Sequence, residues 1–351
     1  MRTKLLKINP GRPERKRILI AAEVIKRGGL VVFPTETVYG IGADALNEKA
    51  VKKIYKVKGR PSDNPLMIHV SDMEMASRLG VFPERYRKIV RKLWPGPISF
   101  VVKARDLRGR KELAIRMPDN KVALALIKAS GTPIAAPSAN ISKKPSSTTA
   151  AHAMKYFDGK VDIVLDAGPA KNGIESTILD LRTFALLRPG AFSAEKITSA
   201  FGRRPKITVI ARGTRTAPTA ISPGMKYRHY SPDTPLFLFT GKIDKLHEIT
   251  NGIKQRFAFI GSDGSCKIMN GCAESVIRLG KASRKEEIAH NLFSALIALD
   301  SKGLDFAIIE GFEEEGVGLA IMNRIRKACS NKYFSDAKGL RMLLRLDGLG
   351  A

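Results

Sequence analysis

The sequence predicts an α/β protein of two domains, in which a larger mixed α/β domain precedes a smaller α/β domain with a parallel sheet. First, apolar runs of strand length alternate with amphipathic stretches of helix length along most of the chain. Second, residues 211–235 interrupt this alternation, because they are rich in Pro, Ser, Thr and cations and show no apolar period. Third, 351 residues that are 44% hydrophobic can fill two cores. We therefore divide the chain into a domain at 1–210, a linker at 211–235 and a domain at 236–351.

The first domain opens with alternating helical and extended patterns. RILIAAEVIKRGG (17–29) predicts an amphipathic helix that ends at its glycine pair. LVVFPTETVYG (30–40) predicts a strand that runs into a Thr-rich turn. Asn47 is placed to cap the following helix, and PLMIHV (65–70) predicts a short strand. SDME (71–74) has the spacing of a capping box, which predicts the start of another helix.

The same alternation continues to a predicted hairpin at the end of the first domain. The further helices cover PERYRKIVRKLW (83–94), NKVALALIKASG (120–131) and residues around 148–157. The further strands cover ISFVVKA (98–104), LAIRM (113–117), TPIAAPSAN (132–140), VDIVLDAG (161–168), and a hairpin of STILDL (176–181) and ALLRPG (185–190).

The second domain shows the pattern of a parallel sheet. LFLFTG (236–241), RFAFIG (256–261) and LDFAIIEG (304–311) are short apolar runs that end in glycine. Helical stretches such as KEEIAHNLFSALIALDSKG (285–303) separate them. Strands that alternate with helices of this length predict parallel pairing.

The charge balance concerns the partners of the protein rather than its fold. Lys and Arg number 61 against 33 Asp and Glu, which gives a net charge of +28. This excess favours nucleic acid, nucleotide phosphates or an acidic membrane surface, although a solvated cationic surface would also account for it. The three cysteines form no C-x-x-C pair or zinc ligand pattern, and no apolar segment reaches about 20 residues. We expect a cytoplasmic protein without a membrane partner.

The segment KVKGRPSDNPLMIHV (56–70) is the first candidate for a binding site. Lys56, Lys58 and Arg60 stand close together at the end of a predicted helix, and two prolines brace the loop that follows. Cations there also suit the helix dipole without any ligand. The functional interpretation is phosphate capture, because an arginine binds phosphate oxygens in pairs and a lysine acts as a point charge. Asn64 between the prolines could contact a base or a phosphate.

Two further polar segments follow predicted strands. PTETVYG (34–40) is rich in hydroxyls, which can simply satisfy the local backbone or can form a pocket wall beside 56–70. APSANISKKPSSTT (136–149) follows an apolar strand, and open α/β sheets bind ligands at the carboxyl ends of their strands. Single polar residues at the ends of other apolar runs fit the same edge: Arg116, Ser176 and Arg188.

GIGADA (40–45) matches the dinucleotide fingerprint G-x-G-x-x-A on paper. The residues before it are too polar for the buried first strand of that unit, so a nicotinamide-type enzyme is a weak alternative. We expect the two glycines, Gly40 and Gly42, to serve a turn.

The catalytic motifs that the sequence lacks exclude several types of reaction mechanism. The sequence contains neither a phosphate loop of the G-x-x-x-x-G-K-[ST] type nor a G-x-S-x-G elbow, and no Cys or Ser has an obvious base partner. A site built from Arg, Lys, Ser, Thr and Asn would act by positioning and charge stabilisation. Such chemistry suits displacement at a nucleotide phosphate assisted by a divalent metal.

The ordered segments FPTETVYGIGADA, KVKGRPSDNPLMIHV, WPGPISFV, IRMP, APSANISKKPSST and ESTILDL with LRPG resemble the YrdC-like domain. SPGMKYRHYSP and the domain after it resemble the two-domain threonylcarbamoyl-AMP synthases. The resemblance implies a twisted mixed α/β sheet followed by a Rossmann-like domain. It also implies a reaction in which L-threonine, bicarbonate or CO2, and ATP with Mg2+ give threonylcarbamoyl-AMP and pyrophosphate. The product would serve a separate complex that modifies tRNA.

The resemblance also implies roles for particular residues. Those implied for L-threonine are Thr37, His69, Arg116, Ala136 and Ser176, with Arg116 on the carboxylate and Ala136 acting through its backbone. Those assigned to ATP are Arg60, Asn64, Ser138, Asn140, Ser146, Arg188 and Tyr230, with Lys58 near the phosphates and Tyr230 closing over the nucleotide. Lys58 and Arg60 are the expected catalytic residues, and no metal ligand is assigned.

A non-catalytic RNA-binding module is the alternative function. The net charge would support it, and direct tRNA contact is compatible with either function. The polar segments at 34–40 and 136–149 favour an enzyme, because binding of a nucleic-acid backbone does not require them.

Overall fold

The structure is a computed structural model that describes residues 2–105, 111–208 and 230–349. The described residues divide into two units. The N-terminal unit contains those up to 142 and those from 146 to 208, and the C-terminal unit contains 143–145 and 230–349. Most of the predicted linker, residues 211–229, lies outside the described residues. The predicted domain boundaries therefore stay a prediction.

The strands of the N-terminal unit form one mixed sheet. In the described residues they are β1 (Lys4–Lys7), β2 (Val31–Phe33), β3 (Gly40–Asp44), β4 (Ile68–His69), β5 (Gly80–Val81), β6 (Ile98–Ala104), β7 (Glu112–Arg116), β8 (Ile134–Ala135), β9 (Ile163–Asp166), β10 (Thr177–Asp180), β11 (Ala185–Arg188) and β12 (Lys206–Ile207). Their order is β1-β9-β2-β3-β8-β4-β7-β6-β10-β11-β12, with β5 paired to β6. β4 runs parallel to β7, whereas β7 runs antiparallel to β6. The predicted mixed sheet is confirmed.

The helices of this unit lie close to their predicted positions, except for the last, at 194–201, which was not predicted. They are α1 (Arg15–Lys26), α2 (Glu48–Lys58), α3 (Met73–Leu79), α4 (Glu84–Leu93), α5 (Lys121–Ser130), α6 (Ala150–Phe157) and α7 (Ala194–Phe201). Asn47 caps α2 as expected, because its Oδ1 accepts from the Ala50 N–H at 3.1 Å. The cap of α3 is Asp72 and not Ser71, since Asp72 Oδ1 accepts from the Met75 N–H at 2.8 Å. The capping-box register was therefore wrong by one residue.

The core beneath one region of this sheet joins α1 and α5 to the strands. Ile18, Ala22 and Ile25 of α1 pack in one cluster with residues of α5 such as Leu126 and of β2 such as Phe33. Burial of a side chain of the size of Ile, Leu or Phe contributes about 1.5–3 kcal/mol. The apolar spacing of α1 at one face is what allows this contact.

The C-terminal unit contains a parallel sheet, as the alternation predicted. Its strands are β13 (Leu236–Phe239), β14 (Phe257–Gly261), β15 (Ser275–Arg278), β16 (Phe306–Glu310) and β17 (Tyr333–Phe334). They follow the order β15-β14-β16-β13-β17, and each neighbouring pair is parallel. Its helices are α8 (Ile243–Thr250), α9 (Asp263–Ile268), α10 (Lys285–Leu299), α11 (Gly318–Ala328) and α12 (Ala337–Leu346).

Gly40 and Gly42 lie inside β3, which runs antiparallel to β2. The expectation that they serve a turn was wrong, and a dinucleotide fingerprint would instead require a turn between a strand and a helix. Close packing around position 42 requires a residue without a side chain. A Cβ at this position would lie 2.6 Å from Ile134 Cγ2 and 2.7 Å from Phe33 Cε1.

We expect Gly42→Ala to lower the free energy of unfolding by about 1–3 kcal/mol, because the added methyl overpacks the core between β2 and β8. Gly40→Ala is the control in the same strand, where the nearest atom to an added Cβ is Ala136 Cβ at 3.4 Å. Urea unfolding followed by the fluorescence of Trp94, the single tryptophan of the chain, measures this unit. Equal losses in the two variants would contradict the packing argument.

Candidate active site

A buried group of four polar residues lies where β4 and β7 run side by side. The parallel register of these strands sets His69 opposite Arg116. Arg116 Nη1 donates to Thr37 Oγ1 at 2.9 Å, and Arg116 Nη2 lies 2.6 Å from Glu36 Oε2. The side chains of Arg116 and Glu36 are 4% and 5% exposed. We call Glu36, Thr37, His69 and Arg116 the Arg116 cluster.

The Arg116 cluster contains four buried atoms without a hydrogen-bond partner among the described residues: both oxygens of Glu36, Nδ1 of His69 and Nη2 of Arg116. The Arg116–Glu36 contact is within ion-pair distance, but its angles do not form a hydrogen bond. Buried polar groups are almost always hydrogen-bonded, because an unsatisfied group costs about 1–3 kcal/mol. The concentration of such atoms in one cluster indicates a site for a polar ligand.

His69 is held neutral by its surroundings. Burial lowers its pKa to about 3, and the nearby positive charge of Arg116 acts in the same direction. Its ring meets that of Phe33 edge-on, with centroids 6.1 Å apart. A neutral imidazole can donate from one nitrogen and accept at the other, which suits a ligand hydroxyl.

The lowered pKa of His69 predicts a loss of stability in acid. The unfolded chain binds a proton near pH 6.5, whereas the folded chain does so only near pH 3, so unfolding becomes easier as the pH falls through this window. Between pH 7.5 and 5.5, we expect the wild type to lose about 1.4 kcal/mol more than His69→Gln. Urea unfolding followed by Trp94 fluorescence gives both values. Identical pH dependence in the two proteins would contradict the prediction, and His247→Gln at an exposed position is the control.

Lys58 contacts the Ser-rich loop rather than solvent. It is the last residue of α2 and is buried, and its Nζ donates to the carbonyl oxygens of Ser138, at 2.6 Å, and Asn140. Burial lowers the pKa of Lys58 well below its ordinary value, the charge of Arg60 adds to this, and Glu175 opposes it. Lys56, by contrast, is exposed, because residues two apart on a helix point in different directions. The three cations therefore do not form one surface.

Arg60 organises the loop that the prolines brace. Its Nε donates to the Asn64 carbonyl at 3.1 Å, and its Nη2 donates to Asn64 Oδ1 at 2.5 Å and to the Pro65 carbonyl at 3.0 Å. Asn64 itself is buried. The predicted contacts of Lys58, Arg60 and Asn64 with a nucleotide stay a prediction.

The Thr-rich segment and the Ser-rich loop lie side by side. The Tyr39 N–H donates to the Ser147 carbonyl at 2.9 Å, and the Ala139 N–H donates to the Tyr39 carbonyl at 2.7 Å. Within the loop, Ser138 Oγ donates to Asn140 Oδ1 at 2.6 Å. These bonds bring the 34–40 and 136–149 segments of the sequence together.

A second carboxylate stands at this edge of the sheet. Ser146 Oγ donates to Glu175 Oε1 at 2.6 Å, and both residues are buried. Sequence reasoning did not select Glu175, although it precedes Ser176 directly. The sequence signal available was the position of this carboxylate, directly before Ser176, a candidate residue at the end of an apolar run.

Ser176 and Arg188 meet across the hairpin of β10 and β11. Arg188 Nη2 donates to the Ser176 carbonyl at 2.8 Å and to Ser176 Oγ at 3.2 Å. Ser176 Oγ also lies 2.8 Å from Ser99 Oγ. Ala136 is buried, and its N–H donates to the Met67 carbonyl at 2.9 Å. The roles assigned to these residues stay predictions.

Tyr230 belongs to the C-terminal unit. Its ring centroid lies 5.1 Å from that of Phe293, and the guanidinium carbon of Arg324 lies 5.6 Å from the Tyr230 ring centre. Tyr227 and His229, which stand in the predicted linker, lie outside the described residues. Closure of Tyr230 over a nucleotide stays a prediction.

The described residues contain neither a metal-binding group of side chains nor a helix that could span a membrane. Within 2–105, 111–208 and 230–349, no three His, Cys, Asp or Glu residues are grouped so as to hold a metal ion. None of the helices in these ranges combines the length and the apolar character that a membrane crossing requires.

Comparison with known proteins gives matches over both units. The Sua5–YciO–YrdC family profile, described as telomere recombination, matches residues 23–190. A profile described as the C-terminal domain of threonylcarbamoyl-AMP synthase matches residues 192–330. The threonylcarbamoyl-AMP synthase of Pyrococcus abyssi is 43% identical over 330 residues, which cover 90% of this chain and 95% of the relative. That of Bacillus subtilis is 40% identical over 329 residues, which cover 90% and 94%.

A solved structure gives a similar result for the fold. The crystal structure of P. abyssi Sua5 complexed with L-threonine has a TM-score of 0.85 and 40% identity to this chain. The match covers 95% of this chain and 99% of that one.

Proposed function

This chain belongs to the threonylcarbamoyl-AMP synthase family, and we propose that it makes threonylcarbamoyl-AMP and pyrophosphate from L-threonine, bicarbonate or CO2, and ATP. The observation that carries the proposal is the Arg116 cluster, whose unsatisfied buried atoms call for a small ligand with charged and hydroxyl groups. A relative of 40% identity has a crystal structure described as complexed with L-threonine, which has these groups. The chain is an enzyme, and its class in this proposal is nucleotidyltransferase.

The reaction joins threonine to a nucleotide in two stages. The threonine amine, after its ammonium form has released a proton, combines with CO2 to give a carbamate and a second proton. A carbamate oxygen then attacks the α-phosphorus of ATP, and pyrophosphate leaves with Mg2+, which is part of the ATP substrate. Because no side chain becomes covalently attached, the protein acts by positioning the two substrates and by balancing charge on the phosphates.

In this mechanism the Arg116 guanidinium pairs with the threonine carboxylate, and neutral His69 and Thr37 face the hydroxyl. Ser176 and the backbone of Ala136 complete the threonine site. The residues proposed for ATP are Arg60, Asn64, Ser138, Asn140, Ser146, Arg188 and Tyr230. Lys58 acts near the phosphates from its place between the Ser138 and Asn140 carbonyls. Burial lowers the pKa of Lys58, whereas the negative charge of bound phosphates would favour its charged form.

The product is a mixed carbamic–phosphoric anhydride, which is labile in water and so must be used soon after release. We propose that a separate tRNA threonylcarbamoyl-transferase complex consumes it, and that this chain can be assayed without that complex. A cytoplasmic location belongs to the same proposal, and it is supported by Cys266 and Cys329, which are buried free thiols.

The test is pyrophosphate release from ATP with Mg2+, with threonine and bicarbonate added singly and together. Release that requires both supports the synthase. If the folded protein releases no pyrophosphate under any combination, the proposal fails, and salt-dependent tRNA binding then tests the RNA-binding alternative.

A further inference from the structure

Glu36 is a buried carboxylate in the Arg116 cluster to which the proposed reaction has so far assigned no role. Its Oε2 lies 2.6 Å from Arg116 Nη2 without forming a hydrogen bond, and its Oε1 has no hydrogen-bond partner among the described residues. The backbone of Glu36 is held in place, because its carbonyl accepts from the Asn172 N–H at 2.7 Å. The carboxylate is therefore positioned and paired with the charge of Arg116, but its Oε1 accepts no hydrogen bond from the described residues.

The neighbouring hydroxyls are committed to other partners. Thr35 Oγ1 donates its hydrogen to the Val38 carbonyl at 2.6 Å. The 2.9 Å contact between Thr35 and Thr37 therefore has Thr37 as its donor. Neither hydroxyl hydrogen remains for Glu36. Since no described residue donates to Oε1, this oxygen can accept a hydrogen bond from a bound molecule.

The charges in the Arg116 cluster indicate which charged groups a matching ligand carries. Arg116 is positive, Glu36 is negative, and burial together with Arg116 keeps His69 neutral. A ligand with one cationic and one anionic group would pair with both charges and leave the buried site neutral. A simple anion would pair with Arg116 but would be repelled by Glu36. The cluster is thus complementary to a zwitterion.

We propose that Glu36 binds the α-ammonium group of L-threonine through Oε1 and so selects an amino acid over the corresponding hydroxy acid. This inference rests on the proposed function, because it takes threonine as the occupant of the cluster. It adds a specificity-determining contact to a pocket whose other residues face the carboxylate and the hydroxyl.

The experiment compares two ligands that differ only at this group. Isothermal titration calorimetry without ATP measures the binding of L-threonine and of (2S,3R)-2,3-dihydroxybutanoate, which has a hydroxyl in place of the ammonium. We expect Glu36→Gln to weaken threonine binding by about 10- to 100-fold, the cost of losing a hydrogen bond to a charged group. The same change should leave binding of dihydroxybutanoate unchanged or make it tighter, because a repulsion is removed.

A purely structural role for Glu36 predicts a different result. If Glu36 only holds Arg116 in place, Glu36→Gln weakens both ligands by the same factor, and that outcome overturns the proposal. Unchanged threonine binding overturns it as well. Glu84→Gln, an exposed glutamate on α4, is the control and should alter neither affinity.

Folding and the choice of substrate are tested separately. Trp94 fluorescence reports whether Glu36→Gln folds. If it does not fold, Glu36→Asp keeps the charge, and we expect it to keep a preference for threonine over dihydroxybutanoate; loss of that preference contradicts the proposal. If the wild type itself does not bind threonine, the proposed substrate is wrong, and the inference about Glu36 is wrong with it.

Discussion

Arg60→Ala is expected to lower threonine-dependent pyrophosphate release by about 10²- to 10³-fold, the usual cost of removing one positioned donor to developing charge. The N-terminal unit should still fold. Arg60 is only partly buried, and it donates to its own loop at Asn64 and Pro65, so its removal costs stability of about 1–2 kcal/mol. Steady-state kinetics with varied ATP and urea unfolding followed by Trp94 fluorescence measure the two effects.

Two variants show whether this loss comes from the phosphate contact. Arg60→Lys keeps the charge but loses the planar fork of donors, so we expect activity between those of the wild type and Arg60→Ala. Lys56→Ala removes an exposed cation of the same segment and should leave turnover unchanged. Full activity in folded Arg60→Ala would contradict the assignment of Arg60 to ATP.

Arg116→Ala is expected to lower the free energy of unfolding by about 3–5 kcal/mol, because it leaves the Glu36 carboxylate buried without its counter-charge. Thr37 Oγ1 also loses the donor at 2.9 Å. Threonine binding should be lost in the protein that remains folded. Urea unfolding of the N-terminal unit and calorimetric titration with threonine test these two results.

Removing both charges separates the contribution of the ion pair to stability from that of general packing. Arg116→Met combined with Glu36→Gln leaves neither Arg116 nor Glu36 with a charge, so we expect it to recover most of the stability that Arg116→Ala loses. It should still fail to bind threonine. A loss below about 1 kcal/mol in Arg116→Ala would contradict a buried and mutually dependent pair.

The predicted fold class is confirmed in both units, and the errors are confined to short or local features. β17 has two residues and β15 four, and the residues of β15 are partly exposed, so neither gave a clear apolar run. Two edge strands of the N-terminal sheet were not predicted, because few of their residues are buried. Both residues of β12 are exposed, and so are most of those of β1. Local alternation identifies a strand only where one face is consistently buried.

The candidate site was predicted as a set of residue types rather than as an arrangement. Arg116 and Thr37 were both selected, but their hydrogen bond spans 79 positions of the chain. Lys58 was expected to face phosphates, yet its ammonium donates to backbone carbonyls of the loop 80 and 82 positions further on. Which cation is buried and which is exposed depends on what packs against α2. No local pattern contains that information.

The sequence by itself determined the succession of helices and strands, the parallel character of the second sheet, and the segments from which the site is built. These follow from apolar periodicity, capping residues and turn residues, which act over a few positions. Only the tertiary structure decided that His69 stands opposite Arg116, that Glu36 lies against Arg116, and that Gly42 is a packing residue. Those contacts depend on the order of strands in the sheet, because strand order brings residues far apart in the chain within a few ångströms of each other.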